Sequence, residues 1–413
     1  MAEAKAIPKG QNAEGNVFPS RQVWLICFNI VFAMAGLGIV APVLPYIQDW
    51  QGASYTAMGF FVSSYAFSRM LMDLPAGIIV DRWGSGIVTV TGLAVIALGS
   101  LLSALAPGFD LLVAGRMLAG LGSGLTVASL QTELMLLAPL DFRSRAMSYF
   151  MLARRAGSSL FPFIGGLLAS IGSWRSVFYF CAVLNLVVMG VALLSYRRPR
   201  PGRSDAELGV EGKEVKAGGV LPNRPVFLLL YFLSFIFFLN RNGLERTVIP
   251  FYGDALNINP LQIGLALSLT SVVSLGGIYL GGQAADRFGR KAVLLAGIAV
   301  LLLANTLFLW VDSYPRYLSA SLLFGIAGFN LGLPNVIITD LVARERAGRA
   351  LGAVRFFNDL GTVCGPVILA WFMDVLGFRA SIYFSVAALA VSCLWTAFIL
   401  PETIGKKGKM ISI

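Results

Sequence analysis

Two short stretches decide the reading of this chain: Gly77-Ile-Ile-Val-Asp81-Arg82-Trp83-Gly84 and, 205 residues further on, Gly282-Gln-Ala-Ala-Asp286-Arg287-Phe288-Gly289-Arg290-Lys291. Each follows an apolar run of about 20 residues, enough to cross a bilayer. Each then sets charge and glycine where such a run must turn back. The register that superposes them extends well beyond the turns. At the same offset Pro45 falls on Pro250, Gly59 on Gly264 and Gly120 on Gly325. One residue is then lost, and Arg145 meets Arg349, Gly157 meets Gly361, Pro162 meets Pro366 and Arg175 meets Arg379. Chance apolar similarity would not hold glycines, prolines and charges in step, so the chain is a tandem repeat.

Working outward from the turns, apolar runs predict membrane spans at 23–47, 56–80, 86–106, 111–135, 145–170 and 175–196, then at 226–250, 260–284, 291–311, 316–338, 350–372 and 380–400. The fold class is therefore all-α integral membrane, with twelve transmembrane helices in two pseudo-symmetric six-helix bundles. The bundles are expected over 22–196 and 226–400, joined by a polar linker at 197–225 and flanked by tails at 1–21 and 401–413. Composition agrees: 57% of the 413 residues are hydrophobic and 13% charged, against roughly a quarter charged in soluble domains. The net charge of +11 would suggest nucleic acid in a soluble protein. Here 22 of the 32 basic residues fall on the tails and even-numbered loops and three on the opposite side. That asymmetry predicts both termini in the cytoplasm and no nucleic-acid partner. The partner is the lipid bilayer.

Eleven ionisable residues remain inside the spans: Arg69, Asp73, Arg116, Glu133, Arg154, Arg155, Arg241, Glu245, Arg246, Arg355 and Asp359. A charge at the bilayer centre costs roughly 2.5–3.5 kcal/mol, so these should turn inward and find partners. Arg69 with Asp73, Arg241 with Glu245, and Arg355 with Asp359 are each four residues apart, which predicts three ion pairs along single helix faces. Each pair reads either as a structural brace or as part of a polar pathway. Arg69, Arg154, Arg155, Arg241 and Asp359 lie nearest mid-membrane, where a polar pathway through such a chain would have to pass. Of the neighbours Arg154 and Arg155, about 100 degrees apart on a helix, one is expected to point fully inward. Arg116 and Glu133, nearer span ends, are expected to reach water along their stems. Asn242, Arg246, Arg355, Asn358 and Tyr65 complete the predicted substrate cavity. Histidine is absent, so proton coupling falls to carboxylates: Asp359 first, then Asp73 and Glu245. Cys27, Cys181, Cys364 and Cys393 sit in apolar runs and suggest no disulfide framework. No metal cluster, cofactor motif, nucleophile–base pair or Walker sequence is legible, so an enzyme is not expected.

The paired turns resemble the G-x-x-x-D-R-x-G-R-R/K signature of the major facilitator superfamily, at the loops where that family carries it. Arg116-x-x-x-Gly120-x-Gly122, Trp174-Arg175 and Pro401-Glu402-Thr403 add to the likeness, which covers about residues 22–403 and looks closest to the drug:proton antiporter branch. The resemblance implies a gate built from Gly77, Asp81, Arg82, Gly84, Gly282, Asp286, Arg287, Gly289 and Arg290. It also implies a conformational role for Arg116, Gly120, Pro162, Gly365 and Pro366. Ser85 and Gly86 replace the basic pair in the first copy, and Phe161 precedes Pro162 where the antiporter pattern has glycine. In that family's fold, spans three, six, nine and twelve are outer supports, and these spans carry none of the eleven charges. The family is usually monomeric.

The expected function is secondary active transport of a small organic or amphiphilic solute, with proton-coupled efflux by alternating access, in a bacterial inner membrane. Seven intramembrane arginines against four carboxylates also suit symport or uniport of an organic anion. A receptor or scaffold on the same fold is the reading furthest from these residues.

Overall fold

The computed structural model describes residues 21–139, 142–195, 224–342 and 344–402. Apart from their edges, the expected tails and linker lie outside the described residues. The described residues form twelve helical rods: α1 (Arg21–Gln51), α2 (Tyr55–Trp83), α3 (Ser85–Leu105), α4 (Phe109–Leu137), α5 (Arg143–Ile171), α6 (Trp174–Ser195), α7 (Arg224–Ala255), α8 (Pro260–Phe288), α9 (Arg290–Trp310), α10 (Tyr314–Leu341), α11 (Arg344–Leu376) and α12 (Phe378–Ile399). Ten contain stretches long and apolar enough to cross a membrane. The other two, α2 and α5, carry Arg69, Asp73, Arg154 and Arg155. The predicted spans are found within a few residues, and α7 begins at Arg224, just inside the expected linker.

Local chemistry ends the rods. Ser54 Oγ accepts the Ala57 amide at the start of α2, and Asn259 with Gln262 forms a reciprocal capping box at α8. Gly84 and Gly289, the last glycines of the two signature turns, have φ of 81° and 98°, a region that penalises any side chain.

The repeat is visible in the packing. A Cβ on Gly120 would strike the carbonyl of Tyr65, and one on Gly325 that of Thr270. Gly157 lies against Val31 O and Gly361 against Phe235 O; Gly59 lies against Pro366 O and Gly264 against Pro162 O. Every pair is related by the sequence offset of 204 or 205. Small residues let these backbones approach, as membrane helix packing requires. The last two contacts join the bundles, α2 to α11 and α5 to α8. Both first helices loosen at equivalent places: α1 breaks into short turns over Ala35–Val43, and α7 widens to a π-helix over Asn240–Val248. Pro45 and Pro250 follow directly. Proline supplies no N–H and crowds the preceding turn.

The two ends differ. Where α2 and α8 begin, the bundles are closed: one apolar core runs from Ile39, Met58 and Phe161 in the first bundle to Leu244, Ile263 and Leu369 in the second. Tyr55 of α2 meets Phe251 and Phe378 edge-on, each at 5.1 Å. Towards the end that bears the signature turns, a core of Val23, Ile30, Leu130 and Phe150 belongs to the first bundle alone. A cleft of about 390 Å³ opens there, lined by Asp73, Gln131, Thr132, Met135 and Arg355 among others.

Candidate functional site

Nine of the eleven charges expected inside the membrane gather where the closed half gives way to the open half, and they form two groups. In the first, Arg69 and Asp73 of α2, Arg154 of α5, and Arg355 and Asp359 of α11 act on one another. In the second, Arg155 of α5 faces Arg241, Glu245 and Arg246 on the widened stretch of α7. Arg154 and Arg155 are both half-buried, and the charges that act most on each differ: Arg69 and Arg355 on Arg154, Arg241 and Glu245 on Arg155. The helical step of about 100 degrees separates their directions.

Of the three predicted ion pairs only one forms. Arg241 reaches Glu245 at 2.7 Å, with both side chains buried. Arg241 also donates to Ser271 Oγ of α8 at 3.3 Å. Arg69 does not pair with Asp73, nor Arg355 with Asp359. Arg355 crosses between the bundles instead and donates to Asp73 Oδ2 at 3.2 Å. All three sequence pairs put the base before the acid, the less favourable order along a helix. A guanidinium from the facing helix competes successfully.

Three further expectations change. Arg116 does not reach water: it is 4% exposed, donates to the Gly36 carbonyl of α1 at 2.9 Å and lies 4.6 Å over the Tyr65 ring. Tyr65, expected to line the cavity, is buried beneath that guanidinium. Asn242 is spent on helix packing, where its amide donates to Thr362 Oγ1 of α11 at 3.2 Å. Asn358 is half-buried on α11, beside Asp359.

At the open end the two signature turns differ. Asp286 pairs with Arg290 at 2.5 Å, and Arg290 reaches Asp340 of α10 at 3.3 Å. Arg287 lies over the Phe288 ring, 5.4 Å from its centroid. The Glu402 carboxylate packs where a Cβ of Gly289 would stand and accepts the Lys291 amide at 3.4 Å, at the positive end of α9. Asp81, Arg82 and Gly84 are exposed, and Asp81 has no ion pair among the described residues. Gly77 and Gly282 both face open space. Gly365 packs on Leu239 O, and Pro162 and Pro366 supply the carbonyls that meet across the bundles.

Sequence reasoning missed the bonds of the closed end. Asp374, at the end of α11, accepts the amides of Tyr55 and Thr56 at 2.9 and 2.7 Å and the Thr56 hydroxyl at 2.5 Å. It thereby caps α2 from the opposite bundle. Ser63 donates to Val363 O at 2.5 Å, and its repeat equivalent Ser268 accepts the Phe163 amide at 2.9 Å. The shared register of Ser63 and Ser268 was a signal; Asp374 had none.

Known proteins agree with this architecture. The family model for the Major Facilitator Superfamily matches residues 26–245 and 230–410. The chain belongs to that superfamily and is an integral membrane transporter, not an enzyme. It is 27% identical over 382 residues to multidrug resistance protein 1 of Bacillus subtilis (strain 168), covering 90% of this chain and 94% of that protein. It is 23% identical over 386 residues to the quinolone resistance protein NorA of Staphylococcus aureus (strain MSSA476), covering 93% and 97%. Among solved structures, a bacterial homolog of the human lysosomal transporter Spinster, inward-facing and occupied, superposes with a TM-score of 0.76 at 15% identity, covering 91% of this chain and 95% of that one. A D-xylose–proton symporter superposes with a TM-score of 0.72 at 16% identity, covering 94% and 99%.

Proposed function

We propose that the protein exports a small organic or amphiphilic solute in exchange for protons, by alternating access between its bundles. The observation that carries this reading is the position of the charges: two groups, with three carboxylates between them, lie between a closed end and an open one. Asp359, Asp73 and Glu245 are the proton carriers, and the arginines around them line the solute's path. The resistance relatives support export. The excess of basic residues on the tails and even-numbered loops supports cytoplasmic termini and insertion in a bacterial inner membrane. On that orientation the closed end faces outward and the conformation is inward-open. The two bundles act as the moving domains of a monomer, with the signature turns as its gate and no nucleic acid as partner.

The test is purified protein in sealed vesicles with an imposed pH gradient and matched cationic, neutral and anionic solutes. Export predicts gradient-driven movement of solute against protons. Asp359→Asn is expected to abolish driven flux while solute exchange continues; unchanged driven flux would remove Asp359 from coupling.

A second reading, co-transport of an organic anion with protons, is favoured by one observation. The first group holds three guanidiniums and two carboxylates, and the second three guanidiniums and one, which leaves a net charge of +3. Uptake of an anion together with protons would select it over export.

A further inference from the structure

Inside the second bundle, a cavity of about 20 Å³ lies between α7, α9 and α10, lined by Phe237, Arg241, Leu301, Phe324, Gly328 and Asn330 among others. All six of these residues are buried. The first bundle fills the equivalent depth with the Arg116 guanidinium, which lies over Phe61 and Tyr65 and donates to Gly36 O. At the offset of 205, Arg116, Phe61, Tyr65 and Gly36 become Ser321, Ala266, Thr270 and Arg241. Three large side chains give way to small ones, and of the four positions only the last gains bulk.

Two polar side chains stand in that lining. Asn330 is 1% exposed, and neither its Oδ1 nor its Nδ2 has a hydrogen-bond partner among the described residues. It packs on Gly297 as Thr126 packs on Gly92, but the Thr126 hydroxyl is spent on Gly122 O at 2.9 Å. Arg241 gives one nitrogen to Glu245 and another to Ser271 Oγ and has N–H groups to spare. Ser274 Oγ, buried and also without a partner among the described residues, packs on Gly328 of the cavity wall. Burying an amide unpaired is costly. A water molecule needs roughly 10–15 Å³ of such room and two to four polar partners, and both are present. Water can donate to Oδ1 and accept from Nδ2; a halide cannot donate, and a metal cation cannot accept.

The cavity also joins two irregular stretches of backbone. Arg241 lies on the π-helix of α7, and Gly328 and Asn330 lie on the tighter 3-10 turns of α10 over Ala327–Leu331. Backbone that departs from the α-helix at membrane depth is tolerated where it is buried in protein or lines a water-filled cavity. We propose that Asn330 and Arg241, with Ser274 at the wall, hold a buried water molecule, and that this water replaces direct protein bonds between the two irregular stretches and leaves them free to shift against each other. The second bundle thus contains a wet joint where the first has a guanidinium packed on aromatic rings. This site is independent of which solute is carried and of the direction in which it moves.

The test is radiolytic labelling of the full chain in phosphatidylcholine nanodiscs made up in oxygen-18 water, read by peptide mass spectrometry. Hydroxyl radicals formed from a bound water mark the rings beside it. Phe237 and Phe324 are expected to take up the heavy oxygen, whereas Phe150 and Phe308, as deeply buried, are not. Asn330→Leu keeps the volume without the polar atoms; it should fold as the parent does and lower the label on both rings about tenfold. In the same variant, amide hydrogen exchange over residues 240–248 and 327–331 should slow about tenfold. Phe237 and Phe324 labelled no more than Phe150, or undiminished label in Asn330→Leu, would overturn the water site. Unaltered exchange in both stretches would overturn the joint. Thermal unfolding is expected to be the same in chloride, bromide and gluconate at one ionic strength. A halide-dependent rise that Asn330→Leu removes would put an anion there and overturn water as the occupant. If Asn330→Leu does not fold, the labelling of the parent protein alone decides.

Discussion

Arg355 of α11 and Asp73 of α2 are joined across the two bundles at 3.2 Å, at the edge of the open cleft. Neither takes the partner that its own helix offers four residues away. The bond therefore belongs to the conformation rather than to either helix, and it should break or shift when the bundles rock. Because Arg355 is 63% exposed, the pair adds less than about 1 kcal/mol to stability. Asp73→Asn and Arg355→Gln are expected to leave thermal unfolding nearly unchanged and to slow proton-driven flux. The exchanged double variant, Asp73→Arg with Arg355→Asp, should recover part of that flux. No recovery would mean that the pairing itself is unimportant.

The glycine contacts separate two kinds of effect. Gly157 and Gly361 pack within a bundle, so Gly157→Ala or Gly361→Ala should lower folding stability by about 1–3 kcal/mol through overpacking. The nearest neighbours of a Cβ at Gly59 and at Gly264 lie in the opposite bundle. Gly59→Ala and Gly264→Ala are expected to keep the melting temperature and open the closed end, as read by spin-label distances between Ala53 and Arg379. A lowered melting temperature with unchanged distances would contradict this division.

Asp374 is the charged bond of the closed end. Losing a carboxylate that accepts two amides costs about 1.5 kcal/mol or more, or about tenfold in the ratio of closed to open. Asp374→Asn should therefore raise the population with the Ala53–Arg379 end parted. An unaltered distance distribution would show that the apolar core alone holds this end shut.

Arg116 offers a further check. Lysine keeps the charge but cannot spread a planar group over Tyr65. Arg116→Lys is expected to destabilise the first bundle by about 1–3 kcal/mol, measured by thermal unfolding in detergent. Stability within error of the parent would make the Gly36 and Tyr65 contacts incidental.

Much of this molecule was legible before any coordinates. Span limits follow from hydropathy, which the bilayer enforces locally. The repeat follows from glycines whose partners, such as Gly157 with Val31 and Gly361 with Phe235, obey one offset. Partner choice among charges was less legible, because it is decided between helices. Nothing near Asp73 in the chain reveals that Arg355 stands opposite. Arg116 looked close enough to a span end to reach water, yet the loosened stretch of α1 turns a carbonyl towards it. The widening of α7 was marked only by Pro250, whose equivalent Pro45 follows the same loosening in α1.

The step between Arg154 and Arg155 gives α5 a mechanical property. Two adjacent residues of one helix stand among largely different sets of charges, Arg154 with Arg69, Arg355 and Asp73, and Arg155 with Arg241 and Glu245. Any displacement of α5 as a rigid body therefore alters both sets at once, and no chain of intermediaries across the cavity is needed to link them.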